Sequence, residues 1–213
     1  MAAALSNSEI AAELAACDVA FPPPALEQLS IYLELLLRWN RKINLTGLRE
    51  PRVIVRRLFG ESLYLTKLIE LKGWLVDVGS GAGFPGLVLK LAAPELRVTL
   101  VEPRQRKSAF LKEAIRECGL SLTYVVNEQF EPWARRRSSQ RADIITTRAV
   151  SLRDELLASI AGFLAPSGTA AFFTSVGIAE KLQSRMTILA WKGSSKIPRT
   201  DEAVILLANR LQL

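Results

Sequence analysis

The chain contains no histidine among its 213 residues. That absence excludes Ser-His-Asp and Cys-His hydrolases, zincins and every His-ligated metal site. Cysteine is scarce as well. Cys17 and Cys118 are too few for a four-cysteine zinc site or a disulfide framework, and they are expected to be reduced, small apolar residues. No metal is expected. No Lys or Arg precedes Arg38, so the start lacks the positive region of a signal peptide, and Glu9 and Glu13 argue against an organellar transit peptide. No apolar run approaches the roughly 18–20 residues that span a bilayer. The expectation is a cytoplasmic protein without a membrane partner.

What is present is an ordinary globular composition, 49% apolar and 23% charged, in a length that suits one domain or one domain with an extension. Lys and Arg number 28 against 21 Asp and Glu, a formal charge of +7. Such a field attracts polyanions, although a basic solvated surface has the same composition. The cations are clustered. Arg38, Arg41, Lys42, Arg49, Arg52, Arg56 and Arg57 form one group, Arg104, Arg106 and Lys107 a second, and Arg135, Arg136 and Arg137 a third.

Residues 1–74 read as helical. Leu26, Leu29, Leu33, Leu36 and Leu37 mark one helix face, the run Pro22-Pro23-Pro24 separates it from anything earlier, and Asn44-Leu45-Thr46-Gly47 reads as a turn. Pro51 opens a further helix to about Leu71. From residue 75 the pattern alternates. Strands are expected at 75–78, 97–102, 122–126, 142–147, 169–175 and 203–208, with helices at 85–93, 105–118, 151–164 and 178–190. Strands separated by helices of ten or more residues mean βαβ units and a mainly parallel sheet.

The strongest local signal is Val76-Asp77-Val78-Gly79-Ser80-Gly81-Ala82-Gly83-Phe84-Pro85-Gly86. It sets glycines between the first strand and its helix, where the backbone turns sharply and a ligand approaches without Cβ interference. In a doubly wound sheet this is the cofactor position. Glu102 ends the next strand, 23 residues beyond Gly79, where a carboxylate can accept from both ribose hydroxyls of an adenosine ligand. The register Gly81-x-Gly83-x-x-Gly86 keeps a nicotinamide dinucleotide in view. Against it, Asp77 just before the glycines would repel a pyrophosphate, whereas it suits a cationic amino-acid or sulfonium group.

The pattern resembles the S-adenosylmethionine (SAM)-dependent Rossmann-like methyltransferases. More specifically, residues 37–46 (LRWNRKINLT) resemble the "LxxWNxxxNLT" segment of the glucose-inhibited-division-protein-B family, bacterial small-subunit (16S) ribosomal RNA guanine-N7 methyltransferases. Residues 75–86 resemble its "DVGTGxGxPG" loop, with Ser80 for Thr. Leu100-Val101-Glu102, Arg106-Lys107 and Phe110-Leu111 resemble its "LLDSxxKRxxFL" segment, and Thr147-Arg148-Ala149 its "SRA" segment. The family's "RHxxDS"-like stretch is met by Arg57-Leu58-Phe59-Gly60-Glu61-Ser62, without the histidine. The resemblance runs in order from about residue 26 to 175.

The resemblance implies an α/β fold, a Rossmann-like SAM-dependent methyltransferase with a mainly parallel seven-stranded sheet and helices on both faces. It implies a helical N-terminal extension, 1–74, as a substrate-side cap, and a SAM-binding methyltransferase domain, 75–213. Gly79, Gly81, Gly83 and Phe84 would line the cofactor, Glu102 would hold its ribose, and Gln129 and Phe130 would flank its adenine. Arg148 would touch the cofactor and serve as the catalytic residue in the transfer pocket. Arg38, Arg41, Lys42, Arg49, Arg56 and Arg57 would bind RNA, with Trp39, Tyr64 and Phe84 as stacking candidates that read first as core. The partner would be small-subunit ribosomal RNA or the assembling subunit, and the enzyme a monomer.

Guanine N7 carries an in-plane lone pair and no proton, so its methylation needs no general base, in keeping with a chain that lacks histidine. Neither cysteine stands in the Pro-Cys context of cytosine-C5 enzymes, and the Asn/Asp-Pro-Pro-aromatic loop of exocyclic-amine enzymes does not occur. N7 lies in the deep, narrow major groove of A-form RNA, so the target belongs in a loop or out of its stack. A methyltransferase of a small molecule or another RNA, and a nicotinamide-dependent oxidoreductase or non-catalytic nucleotide binder, are the alternatives.

Overall fold

The computed structural model describes residues 5–185, 188–200 and 202–211. The N-terminal region is helical. Helix α1 (Asn7–Ala16) starts on a reciprocal cap in which the Ser6 hydroxyl accepts from the Glu9 N–H and Glu9 accepts from the Ser6 N–H. After the prolines, a 3-10 turn at Pro23–Ala25 leads into α2 (Leu26–Asn40), which buries Leu29, Tyr32, Leu33 and Leu36 at helical spacing. Pro51 occupies the first turn of α3 (Pro51–Ile54), capped by the Glu50 carboxylate. The helical path continues as a six-residue π-helical stretch, Val55–Gly60, then α4 (Glu61–Leu63) and a 3-10 turn at Tyr64–Lys67. The single helix expected to about Leu71 is thus four joined pieces ending at Lys67.

The sheet contains seven strands: β1 (Trp74–Val78), β2 (Arg97–Val101), β3 (Thr123–Val126), β4 (Ala142–Arg148), β5 (Leu164–Ser175), β6 (Leu189–Lys196) and β7 (Ala203–Arg210). Their spatial order is β3-β2-β1-β4-β5-β7-β6. The pairs from β3 across to β5 are parallel, and β7 runs antiparallel to both neighbours. Between them lie α5 (Gly86–Ala92), α6 (Gln105–Glu117), α7 (Phe130–Arg135), α8 (Asp154–Phe163) and α9 (Val176–Arg185). This is the mainly parallel α/β sheet expected, with β6 and α7 added. The helix expected at 178–190 ends at Arg185, and the chain enters β6 at Leu189.

β1 is buried along its whole length, because helices cover both faces of the sheet. Alternation along the strands divides the core in two. Leu75, Leu100 and Ile144 face a cluster with α1, α2, α5 and α6, while Trp74, Val76, Val101 and Ile145 face a cluster with α7 and α8. The N-terminal helices therefore share one hydrophobic core with the sheet. Residues of the conspicuous 37–46 segment do this docking. Trp39 Nε1 donates to Glu113 on α6 at 3.1 Å, and its ring meets Phe110 edge-on. Asn40 Oδ1 accepts from the Leu45 and Thr46 N–H groups while its Nδ2 donates to the Leu48 carbonyl, which fixes the turn.

Candidate active site

In a sheet of this order the loops after β1 and β4 part at the carboxyl edge, and a ligand crevice opens between them. The loop after β1 is held from below. The N–H groups of Gly79 and Ser80 both donate to the Val101 carbonyl, and Ser80 Oγ donates to the Asp77 carbonyl at 2.8 Å. Two glycines are sterically required. A Cβ on Gly79 would stand 2.5 Å from Val150 Cγ2, and one on Gly83 would stand 2.6 Å from both Leu87 and the Tyr32 hydroxyl, each at positive φ. Tyr32 reaches in from α2, donates to the Ala82 carbonyl and stacks on Phe84.

Above this loop lies a cavity of about 510 Å³, within the usual range for small-ligand sites. Of the residues expected at the cofactor, Gly79, Gly81, Phe84, Glu102 and Arg148 line it and Gly83 does not. Over Gly81 the space is open: a Cβ there would meet nothing closer than 3.8 Å. Glu102 is buried, with one oxygen accepting from the Gly81 N–H at 2.8 Å and the other from the Arg104 N–H at 2.9 Å. Each carboxylate oxygen keeps a lone pair for a further donor. Arg104 and Lys107 also stand on the wall, and neither was among the cofactor contacts expected, although their cluster follows β2 directly. The glycine loop, Glu102 and the two cations can hold a ligand with a hydroxylated ring and an amino-acid end.

Three expectations need correction. Asp77 lines no part of this cavity. It is fully buried, with Oδ1 accepting from Thr146 Oγ1 at 2.7 Å and Oδ2 from the Gly86 N–H at 3.2 Å, and burial raises its pKa from 3.8 to about 6. It anchors β4 and the start of α5 to β1 and does not reach a cationic ligand. Phe130 is also core: its ring packs 5.8 Å from Phe163 and 6.0 Å from Trp133, so no face is left for an adenine. Gln129 is exposed before α7 and lines neither this cavity nor the larger one beyond the ends of β4 and β5. In that stretch Asn127 is the residue tied to the site, since its amide donates to the Glu102 and Pro103 carbonyls.

The third correction concerns the basic cluster. Arg38 pairs with Glu113 at 2.6 Å, and Arg56 pairs with Glu13, which Arg52 also reaches at 2.7 Å. These arginines fasten helices to one another. Arg41, Lys42 and Arg49 are exposed and form no ion pair among the described residues. They flank the turn whose Leu45 and Thr46 line the glycine-loop cavity. Of the stacking candidates, Phe84 is buried, and Trp39 and Tyr64 are half-buried against the first core cluster.

A second, larger cavity of about 980 Å³ opens beyond the ends of β4 and β5. Arg148, Ala149, Val150 and Ser151 line both cavities, so the two share a wall. Ala149 takes φ 54°, a strained value for a residue with a Cβ and one that clusters at working sites. Arg148, whose side chain is 18% exposed, donates from Nη2 to Glu61 at 2.5 Å and to the Arg57 carbonyl at 2.9 Å. Burial lowers its pKa, opposed by the Glu61 carboxylate. Arg57 itself is exposed, with Nε 3.6 Å from Glu61. Glu61 was not singled out from the sequence; the only signal was its place in the "RHxxDS"-like stretch. Among the described residues no cluster of three or more Cys, Asp and Glu could hold a metal, and no helix is long and apolar enough to cross a membrane.

Residues 25–197 match the family model GidB, rRNA small subunit methyltransferase G. The chain is 38% identical over 161 residues to "Ribosomal RNA small subunit methyltransferase G" of Halorhodospira halophila, across 75% of this chain and 74% of that protein. Among solved structures it is similar to MtNAS in complex with MTA and tNA, with a TM-score of 0.62 at 13% identity, covering 87% of this chain and 73% of that one. It is similar also to the ribosomal protein L11 methylase of Lactobacillus delbrueckii subsp. bulgaricus, with a TM-score of 0.57 at 14% identity, covering 74% and 80%. At such identities the structural likeness is one of fold.

Proposed function

From the premise that the chain belongs to the rRNA small subunit methyltransferase G family, we propose that it methylates N7 of one guanosine in small-subunit (16S) ribosomal RNA, using SAM. The observation that carries the reading is the pair of cavities sharing the Arg148–Ser151 wall. One offers a glycine loop and a buried acid to a nucleoside-like cofactor; the other offers an arginine to an acceptor.

The donor residues fit SAM. Glu102 would take the ribose hydroxyls on its free lone pairs, Gly79 and Gly81 would let the cofactor lie against backbone, and Lys107 would face its carboxylate end. SAM, when bound, supplies an electrophilic methyl group. The start of α5 does not suit a pyrophosphate: the Gly86 N–H is taken by Asp77, and a carboxylate stands beneath the helix start. That favours SAM over a dinucleotide.

Arg148 would hold the acceptor base against the shared wall, so that its ring nitrogen faces the cofactor side. An acceptor nitrogen without a proton needs no base, and the wall provides none. Arg41, Lys42 and Arg49 would contact phosphates beside the cleft, joined by Arg57 at the mouth of the acceptor cavity, with residues 1–74 acting as the substrate-side cap. The enzyme would work as a cytoplasmic monomer on the RNA or the assembling subunit.

The test incubates the protein and methyl-labelled SAM with small subunits from cells lacking a family member, followed by RNA digestion. Label in 7-methylguanosine at one position is the expected result. Label elsewhere, or none while SAM still binds, would move the substrate to another RNA or a small molecule.

A further inference from the structure

Five buried side-chain polar atoms among the described residues have no hydrogen-bond partner, and three of them belong to residues that line the larger cavity: Glu61 Oε1, Thr147 Oγ1 and Arg148 Nη1. Buried polar atoms are nearly always satisfied within the fold, so three orphans on one wall point to partners that arrive with a ligand. Two of them belong to one ion pair. Glu61 uses its other oxygen for Arg148 Nη2, and Arg148 uses Nη2 for Glu61 and the Arg57 carbonyl. The pair therefore has, on neighbouring groups, one carboxylate oxygen that accepts no hydrogen bond and is met only by the exposed Arg57 Nε at 3.6 Å, and one unused N–H donor. Glu61 is delivered there by the turn that follows the π-helical stretch Val55–Gly60, a form that is rare and concentrated at functional sites.

Guanine carries the complementary pair on adjacent atoms: O6 accepts and N1–H donates. Adenine carries the reverse, an amino donor at C6 and an acceptor at N1. We propose that Glu61 and Arg148 together read the target base as guanine, Glu61 Oε1 accepting from N1–H and Arg148 Nη1 donating to O6. This assignment rests on the function proposed above and adds the residues that choose the base. It also leaves N7, on the far side of O6, unencumbered. An adenine in the same pose would oppose donor to donor and lone pair to carboxylate, and sites built around such bonds reject the unmatched analogue by large factors.

The experiment maps the labelled position, then prepares small subunits carrying guanosine, adenosine or inosine there and measures initial transfer rates together with SAM affinity. Wild type is expected to prefer guanosine over adenosine by at least about 1,000-fold. Glu61→Gln should lower the guanosine rate by about 30-fold or more and shrink the guanosine-to-adenosine ratio at least about tenfold, with SAM affinity within about threefold of wild type. A loss that leaves the ratio unchanged would mean that Glu61 merely holds Arg148, and would overturn the proposal, as would a wild-type rate. Should Glu61→Gln fail to fold, shown by lost SAM binding, inosine decides with the wild-type enzyme. Inosine keeps O6 and N1–H but lacks the 2-amino group. Transfer within about threefold of guanosine supports the reading, and rejection of inosine overturns it. Absence of 7-methylguanosine from wild type altogether would instead sink the function on which the inference rests.

Discussion

The two cavities that meet at Arg148 are built from different material. The glycine-loop cavity is built around tight turns, with one acid and a few cations, and is drawn largely from three short segments that follow β1, β2 and β4. The larger cavity is side chains from Arg57 and Glu61 at one end of the chain to Thr200 and Glu202 at the other. A backbone site is specified by a contiguous motif, because glycine is needed where a Cβ would collide. A side-chain site is specified by topology, which brings remote residues to one sheet edge. On the function proposed above, the first would recognise something generic, the second something particular.

That contrast can be broken first at the shared wall. Arg148→Ala should cut methyl transfer by about 100-fold or more while SAM affinity stays within a few-fold, if the arginine acts on the acceptor side as proposed. Single-turnover rates beside calorimetric SAM titration measure it; equal losses in both would merge the two cavities into one site. Next comes the loop. Gly83→Ala places a methyl 2.6 Å from the Tyr32 hydroxyl at φ +91°, and should cost about 2–4 kcal/mol in a denaturant titration, with SAM binding lost in parallel.

Glu102→Gln should weaken SAM by about tenfold, since a neutral amide replaces a carboxylate that accepts the loop hydrogen bond and, as proposed, those of the ligand; an unchanged affinity would remove Glu102 from cofactor binding. Asp77 gives a pH signature. Its pKa is about 6 in the fold against 3.8 when unperturbed, so the native state holds a proton that the unfolded chain releases between those values. Its stabilising contribution is complete below about pH 4 and is lost as pH rises through 6. Asp77→Asn should therefore gain on wild type as pH rises from 4 to 7, and parallel stability curves would contradict the shift. The smallest effects are on the rim. Neutralising Arg41, Lys42 or Arg49 should each reduce the salt slope of RNA binding by about one, whereas Arg38→Gln, at a partly exposed ion pair, should cost at most about 1 kcal/mol of stability and leave the slope alone.

The same contrast explains what could be read from the sequence. Strand–helix alternation, the glycine loop and Glu102 are local patterns, and the family's motifs are local too. The acceptor cavity is not. Glu61 looks like one more helical surface acid until Arg148 is folded against it, 87 residues later in the chain. Arg56 and Arg38 look free for RNA because Glu13 and Glu113 are distant in sequence. Phe130 follows a strand, where an aromatic residue serves a ligand or a core equally well, and only the packing of Trp133 and Phe163 decides it. β6, with Gly193 and three polar residues after it, has little strand propensity of its own; pairing with β7 makes it a strand. α7 is only six residues long, too short for a period to show.

The Tyr32 hydroxyl, anchored on the Ala82 carbonyl, ties α2 directly to the glycine loop, so their stabilities should be coupled. Whatever steadies the loop steadies α2 as well, so a small molecule bound at one end of the sheet should slow amide hydrogen exchange in a helix it never touches. By the same linkage, removing the N-terminal helices would not yield a smaller working enzyme. It would leave a glycine turn without its brace and an apolar surface laid open on α6.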